Sequence, residues 1–162
     1  MWRRLANMIQ RLDSLRYRRR IERALALHLR REVRSDGLKL KKLCNRLEIE
    51  WWARDIHPWD RHDPPDRRAW LFSRQSLADT EAAITRLFQA LPHVDVLDLT
   101  VLERNSASVI MAGTVERSAV QPEAELSVGM RLWKRGITFH SDGSRFESLG
   151  PSAGLGVLAS GG

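Results

Sequence analysis

The chain has 162 residues, 43% of them hydrophobic and 29% charged, with six Trp, one Cys and a formal net charge of +7. That composition belongs to one folding domain rather than a disordered chain; the lone Cys44 excludes an internal disulfide and a multi-thiolate zinc site. Fifteen of the 27 Lys and Arg residues lie before residue 48 against four acids, whereas residues 48–162 carry 12 bases and 16 acids. A basic arm at 1–47 is therefore expected to precede an α+β domain at 48–149 and a flexible Gly/Ser-rich tail at 150–162.

In the arm, Leu5, Met8, Ile9, Leu12 and Leu15 recur at spacings of three and four, which predicts a basic amphipathic helix with Arg3, Arg4, Arg11 and Arg18 largely opposite. Arg16 and the run Arg18, Arg19 and Arg20 interrupt the stripe. Ile21, Leu25, Leu29 and Val33 restart it, and Ser35, Asp36 and Gly37 supply a stop. A shorter helix is expected over 38–47, with Leu38, Leu40, Leu43 and Leu47 as its apolar positions and Lys39, Lys41, Lys42 and Arg46 exposed. The stretch from Leu5 to Gln10 is too short and polar for a secretory core, and no stretch is long enough to span a bilayer.

Residues 48–68 concentrate Trp51, Trp52 and Trp59 with acids, two His and three Pro. Pro58, Pro64 and Pro65 forbid a continuous helix, so an ordered loop pinned by buried indoles is expected. Asp55, His57, Asp60, His62 and Asp63 crowd oxygen and imidazole groups into nine residues, but their spacing fits no metal template, and neither a metal nor a cofactor is expected. The structural alternative has Asp63 capping a helix that starts at Pro64, Arg54, Arg61, Arg67 and Arg68 pairing with the remaining carboxylates, and the indoles acting as anchors.

From Pro64 to Leu91, Trp70, Leu77, Ile84 and Leu91 recur every seven residues, predicting one long helix, with a break near Ser73 to Ser76 as the variant. Beyond Pro92 the period changes to two. Strands are expected at 94–102, 109–116 and from Leu126 to Trp133, followed by a hairpin about Asp142 and Gly143 that joins 137–140 to 145–148. The fold class is thus α+β: basic N-terminal helices and one central helix packed on a four- or five-stranded antiparallel β-meander. Its second face is expected to carry Asp98, Thr100, Thr114, Arg131 and Trp133.

No nucleophile elbow or phosphate-binding loop is present, and the Gly154–Gly156–Ala159 spacing lacks the βαβ unit that a dinucleotide site needs. The leading expectation is a non-enzymatic, cytoplasmic interaction domain. Its arm would engage nucleic acid, an anionic membrane surface or a protein partner, a second copy included, through Arg18, Arg19, Arg20, Arg30, Arg31, Lys41 and Lys42. One alternative is a small hydrolase or lyase using Asp55, His57, Asp60 and His62. The other is a ligand-binding module with a Trp-lined pocket built from Trp51, Trp52, Asp55, His57, Trp59, Asp60 and His62.

Overall fold

The structure, a computed structural model, describes residues 15–25, 38–120 and 125–151. Residues 15–25 are helical and form α1. Strands β1 (Leu38–Leu43) and β2 (Arg46–Trp52) follow, then a 3-10 turn at Pro58–His62, helix α2 (Pro65–Ala90), and strands β3 (Val96–Leu102) and β4 (Val109–Glu116). After a second 3-10 turn, helix α3 (Val128–Lys134) leads to β5 (Ile137–Thr138), β6 (His140–Ser141) and β7 (Phe146–Glu147). The main sheet has the order β1-β2-β3-β4-β5, and β6 pairs with β7 separately.

The fold is α+β, but its sheet is mixed. β2 and β3 are parallel, with Ile49 opposite Leu99 and Trp51 opposite Val101, while the other neighbours are antiparallel. This corrects the antiparallel meander. After Trp52 the chain crosses back along α2, whose 26 residues span about 39 Å, so β3 starts at the same end of the sheet as β2.

Two further expectations are overturned. Residues 38–47 form a β-hairpin instead of a helix: Leu40 pairs with Ile49 and Lys41 with Glu48, around a turn in which Cys44 takes a φ of 50°. Residues 128–134 form a helix instead of a strand. The Ser127 hydroxyl accepts the Met130 N–H at 3.3 Å to cap its start, and Gly136, at φ 94°, follows its end. Arg131 and Trp133 therefore belong to α3, while Asp98 and Thr114 are register partners on β3 and β4.

Helix α2 is continuous through Ser73 and Ser76, both buried, and Thr80 returns its hydroxyl to the Ser76 carbonyl at 2.8 Å. Its N-cap is Pro64 with no side-chain cap, so Asp63 does not serve in that role; Asp63 instead closes the preceding 3-10 turn through its own N–H to Asp60 O at 3.1 Å. At the other end, Arg117 donates to the carbonyls of Phe88 at 2.9 Å and Leu91 at 2.7 Å, supplying a cation where the helix dipole is negative. The buried face of α2, with Ala83, Ile84, Leu87 and Phe88, shares one core with Leu47, Ile49 and Trp51 of β2, Leu97, Leu99 and Val101 of β3, and Met111 and Val115 of β4. Ile21 and Leu25 of α1 and Leu132 of α3 join the same core.

The expected turn at Asp142 and Gly143 is present between β6 and β7. The Asp142 carboxylate accepts the N–H groups of Ser144 at 2.9 Å and Arg145 at 2.7 Å. Phe146 meets the edges of Phe72 and Phe139 at centroid distances of 6.3 and 6.1 Å, which seats this hairpin on the N-terminal half of α2. Among the described residues no helix is long and apolar enough to cross a membrane.

Candidate anion-binding face

Helix α1 divides its side chains between two environments. Tyr17, Ile21 and Leu25 follow a spacing of four; Ile21 and Leu25 are 0% and 1% exposed, and Tyr17 packs against the same core. Arg16, Arg19, Arg20 and Arg23, at i, i+3, i+4 and i+7, line a surface hollow of about 440 Å³ together with Tyr17. Among the described residues these four arginines form no ion pair, whereas Arg18 turns along the helix to Glu22 at 2.9 Å. Arg16 and Arg23 lie about 10.5 Å apart along the axis. The arrangement is a row of guanidinium groups on a helix whose other side is fixed to the sheet. Such a row can donate paired N–H bonds to oxyanions along a linear polyanion.

The cations singled out from sequence do not form one group. Arg19 and Arg20 belong to the α1 face, Arg18 is paired within the helix, and Arg30 and Arg31 lie outside the described residues. Lys41 sits on β1 with its amine 3.8 Å from Glu48, and the backbone of Lys42 pairs with Leu47. Arg16 and Arg23 escape a reading by charge runs because Arg16 reads as a break in the apolar stripe. Their spacing relative to Arg19 and Arg20 was the available signal.

The Trp, Asp and His segment is divided between core and surface. Trp51 is in the core at 3% exposure, and Trp52 is half-buried on the strand's other side. The next residues are tied to α2: Arg54 is held by Asp79, with a 3.0 Å Nη2–Oδ1 bond, and Gln75 donates to the carbonyls of Arg54 and Asp55 at 3.2 and 3.1 Å. Asp55 faces Arg61 at 3.3 Å. His57 caps the 3-10 turn by accepting the Trp59 N–H at its Nδ1, 3.3 Å away, and Asp60 and His62 are part of that turn. Trp59, expected among the anchors, is 83% exposed. The structure thus places Trp51 in the core while Asp55, His57, Trp59, Asp60 and His62 share a surface turn. Among the described residues no group of three or more His, Cys, Asp or Glu could hold a metal ion.

On the sheet face away from α2, Arg46 clamps the Asp98 carboxylate, with Nη2 2.7 Å from Oδ1, and the Thr114 hydroxyl donates to the same acid. On the helical side, Glu81 of α2 accepts from Arg131 at 2.6 and 2.7 Å and from Arg135 at 3.0 Å. Hydrogen bonding from Arg131, reinforced by the charges of both arginines, lowers the Glu81 carboxyl below the usual carboxylate range against the opposing effect of burial.

Comparison with protein-family models, with curated proteins and with solved structures finds no match to this chain.

Proposed function

We propose that the protein is a binding module whose α1 arginine face engages the phosphate backbone of a nucleic acid. The observation that carries this reading is the division of α1: Arg16, Arg19, Arg20 and Arg23 line an open hollow while Ile21 and Leu25 lie in the core. An interfacial membrane helix needs its apolar face free to enter the acyl boundary, and from Tyr17 to Leu25 that face is already taken up by the core, with Ile21 and Leu25 buried. A row of arginines needs no apolar partner to hold phosphates. Over the roughly 10.5 Å from Arg16 to Arg23, one strand of a duplex presents about three charges, so four guanidinium groups face a comparable density of oxyanions.

Binding of the full chain to labelled duplex DNA and to single-stranded RNA across a salt series tests the proposal. Changing Arg16, Arg19, Arg20 and Arg23 together to Gln should weaken binding and flatten the log–log salt slope by about one unit for each phosphate that is no longer neutralised. Absence of binding at low salt, or a variant whose affinity and slope match the parent, would overturn it.

A further inference from the structure

We propose that the turn at Pro58–His62 is a receptor for arginine side chains, and that the arginines it receives are those of α1 in a second copy of this chain. The inference starts from Trp59, whose indole is 83% exposed although its backbone is held on both sides. His57 Nδ1 accepts the Trp59 N–H, and Asp60 N–H returns to His57 O at 2.9 Å. One face of the indole lies against the His57 ring, with centroids 6.3 Å apart and planes inclined by 17°. The exposure leaves the other face available to a partner.

Charge decides what that partner is. From Asp55 to Arg68 the chain carries Asp55, Asp60, Asp63 and Asp66 against Arg61, Arg67 and Arg68; Arg61 already faces Asp55 at 3.3 Å, and Arg67 lies over Trp70. Asp66 faces Arg145 at 3.7 Å, whereas Asp60 and Asp63, on either side of Arg61, form no ion pair among the described residues. Two unpaired carboxylates, Asp60 and Asp63, thus stand beside an open indole in a protein of net charge +7. A phosphate or nucleotide would meet those carboxylates unfavourably, whereas a guanidinium gains from the indole face and from the acids together. The chain uses the same pairing internally: the guanidinium carbons of Arg67 and Arg74 lie 4.4 and 4.7 Å from the Trp70 ring centroid.

The complementary surface is the arginine row of α1, and one molecule cannot join the two. Tyr17 of α1 packs beside His93, beyond the C-terminal end of α2, whereas the Trp59 turn precedes the N-terminal end. The length of α2, about 39 Å, separates these ends, several times the reach of an arginine side chain. A second copy meets both requirements, because each chain offers one arginine row and one acidic indole turn and a two-fold arrangement makes the contact twice.

Sedimentation velocity of the full chain at low and high salt tests this. At about 25 mM salt a concentration-dependent dimer is expected, and it should dissociate at about 300 mM, where the Debye length is shorter. Trp59→Ala should weaken the dimer at least about five-fold by removing the cation–π contact; the indole is exposed, and an unchanged melting temperature serves as the folding control. The pair Arg19→Glu and Arg20→Glu should abolish dimerisation. Mixing that protein with one carrying Asp60→Arg and Asp63→Arg should restore a heterodimer. A monomer at every salt and concentration, or a dimer indifferent to Trp59→Ala, overturns the proposal. A monomer whose Trp fluorescence nevertheless responds to an added arginine-rich peptide also overturns it, and gives the turn to another basic protein. Nucleic-acid binding does not enter this measurement, so either proposal can fail alone.

Discussion

The ring of Tyr17 lies 5.6 Å from the ring of His93, centroid to centroid, and so fixes α1 to the loop that leaves α2. Burial pushes the Tyr17 hydroxyl above its ordinary ionisation range. Tyr17 is the only tyrosine in the chain, so an ultraviolet titration at alkaline pH reads this contact alone. The midpoint should lie above about 10, and Ile21→Asp, which places a charge in the core beneath α1, should return it to about 10. Because the folded value is raised, the docking it reports is fully present below about pH 10 and is lost as pH rises through the raised value. A parent midpoint at the ordinary value would mean that α1 is not docked on the sheet.

The carboxylate of Glu81 holds α3 against α2. Glu81→Gln should destabilise the fold by about 1.5–3 kcal/mol at neutral pH, as read from urea unfolding, because hydrogen bonds to charged groups contribute on that scale. With the folded carboxyl held low, the advantage of the parent over the variant is present above about pH 4.3 and should fade as pH falls through the depressed value. Equal stability of the two proteins at neutral pH would contradict the role assigned to this cluster.

Gly113 is where β4 meets the loop entering β5. A Cβ added there would overlap the Gly136 carbonyl and sit 2.9 Å from Ile137 Cα, both rigid backbone. Gly113→Ala should therefore cost about 2–4 kcal/mol, more than a substitution at an unstrained surface position, and should loosen β5 from the sheet. Gly143→Ala provides the contrast. Its new methyl group meets nothing within 4 Å, so its cost comes only from a φ of 95°. Thermal melts of the two variants check the order.

Much of the fold was legible because its punctuation was strong. Pro64, Pro65 and Pro92 bracket α2, the alternation of Leu97, Leu99 and Val101 marks β3, and Asp142 with Gly143 marks the last hairpin. Other elements were ambiguous in period. Leu38, Leu40, Leu43 and Leu47 satisfy a helical stripe as well as a strand, and Leu126, Val128, Met130 and Leu132 alternate although Ser127 and Gly136 delimit a helix. The parallel pairing of β2 with β3 depends on which strand the crossing chain rejoins, which no local pattern encodes. Arg19 and Arg20 could be proposed from charge alone. Their grouping with Arg16 and Arg23 required knowing which side of α1 faces the core, and the exposure of Trp59 runs against the usual burial of indoles.

The parallel seam between β2 and β3 also sets an order of events. The hairpin of β1 and β2 closes over two residues and that of β3 and β4 over the short segment 103–108, so each can form within microseconds. Arg46 and Val96, by contrast, pair across about fifty residues that include all of α2. The two hairpins are therefore expected to form first, with the seam between them as the slow closure. Refolding after dilution from urea should be slowed most by truncating Leu99, opposite Ile49 across that seam, or Ile84, buried in the core they share, while loss of the Asp142 turn should chiefly accelerate unfolding. The centre of the finished sheet would then be its youngest part.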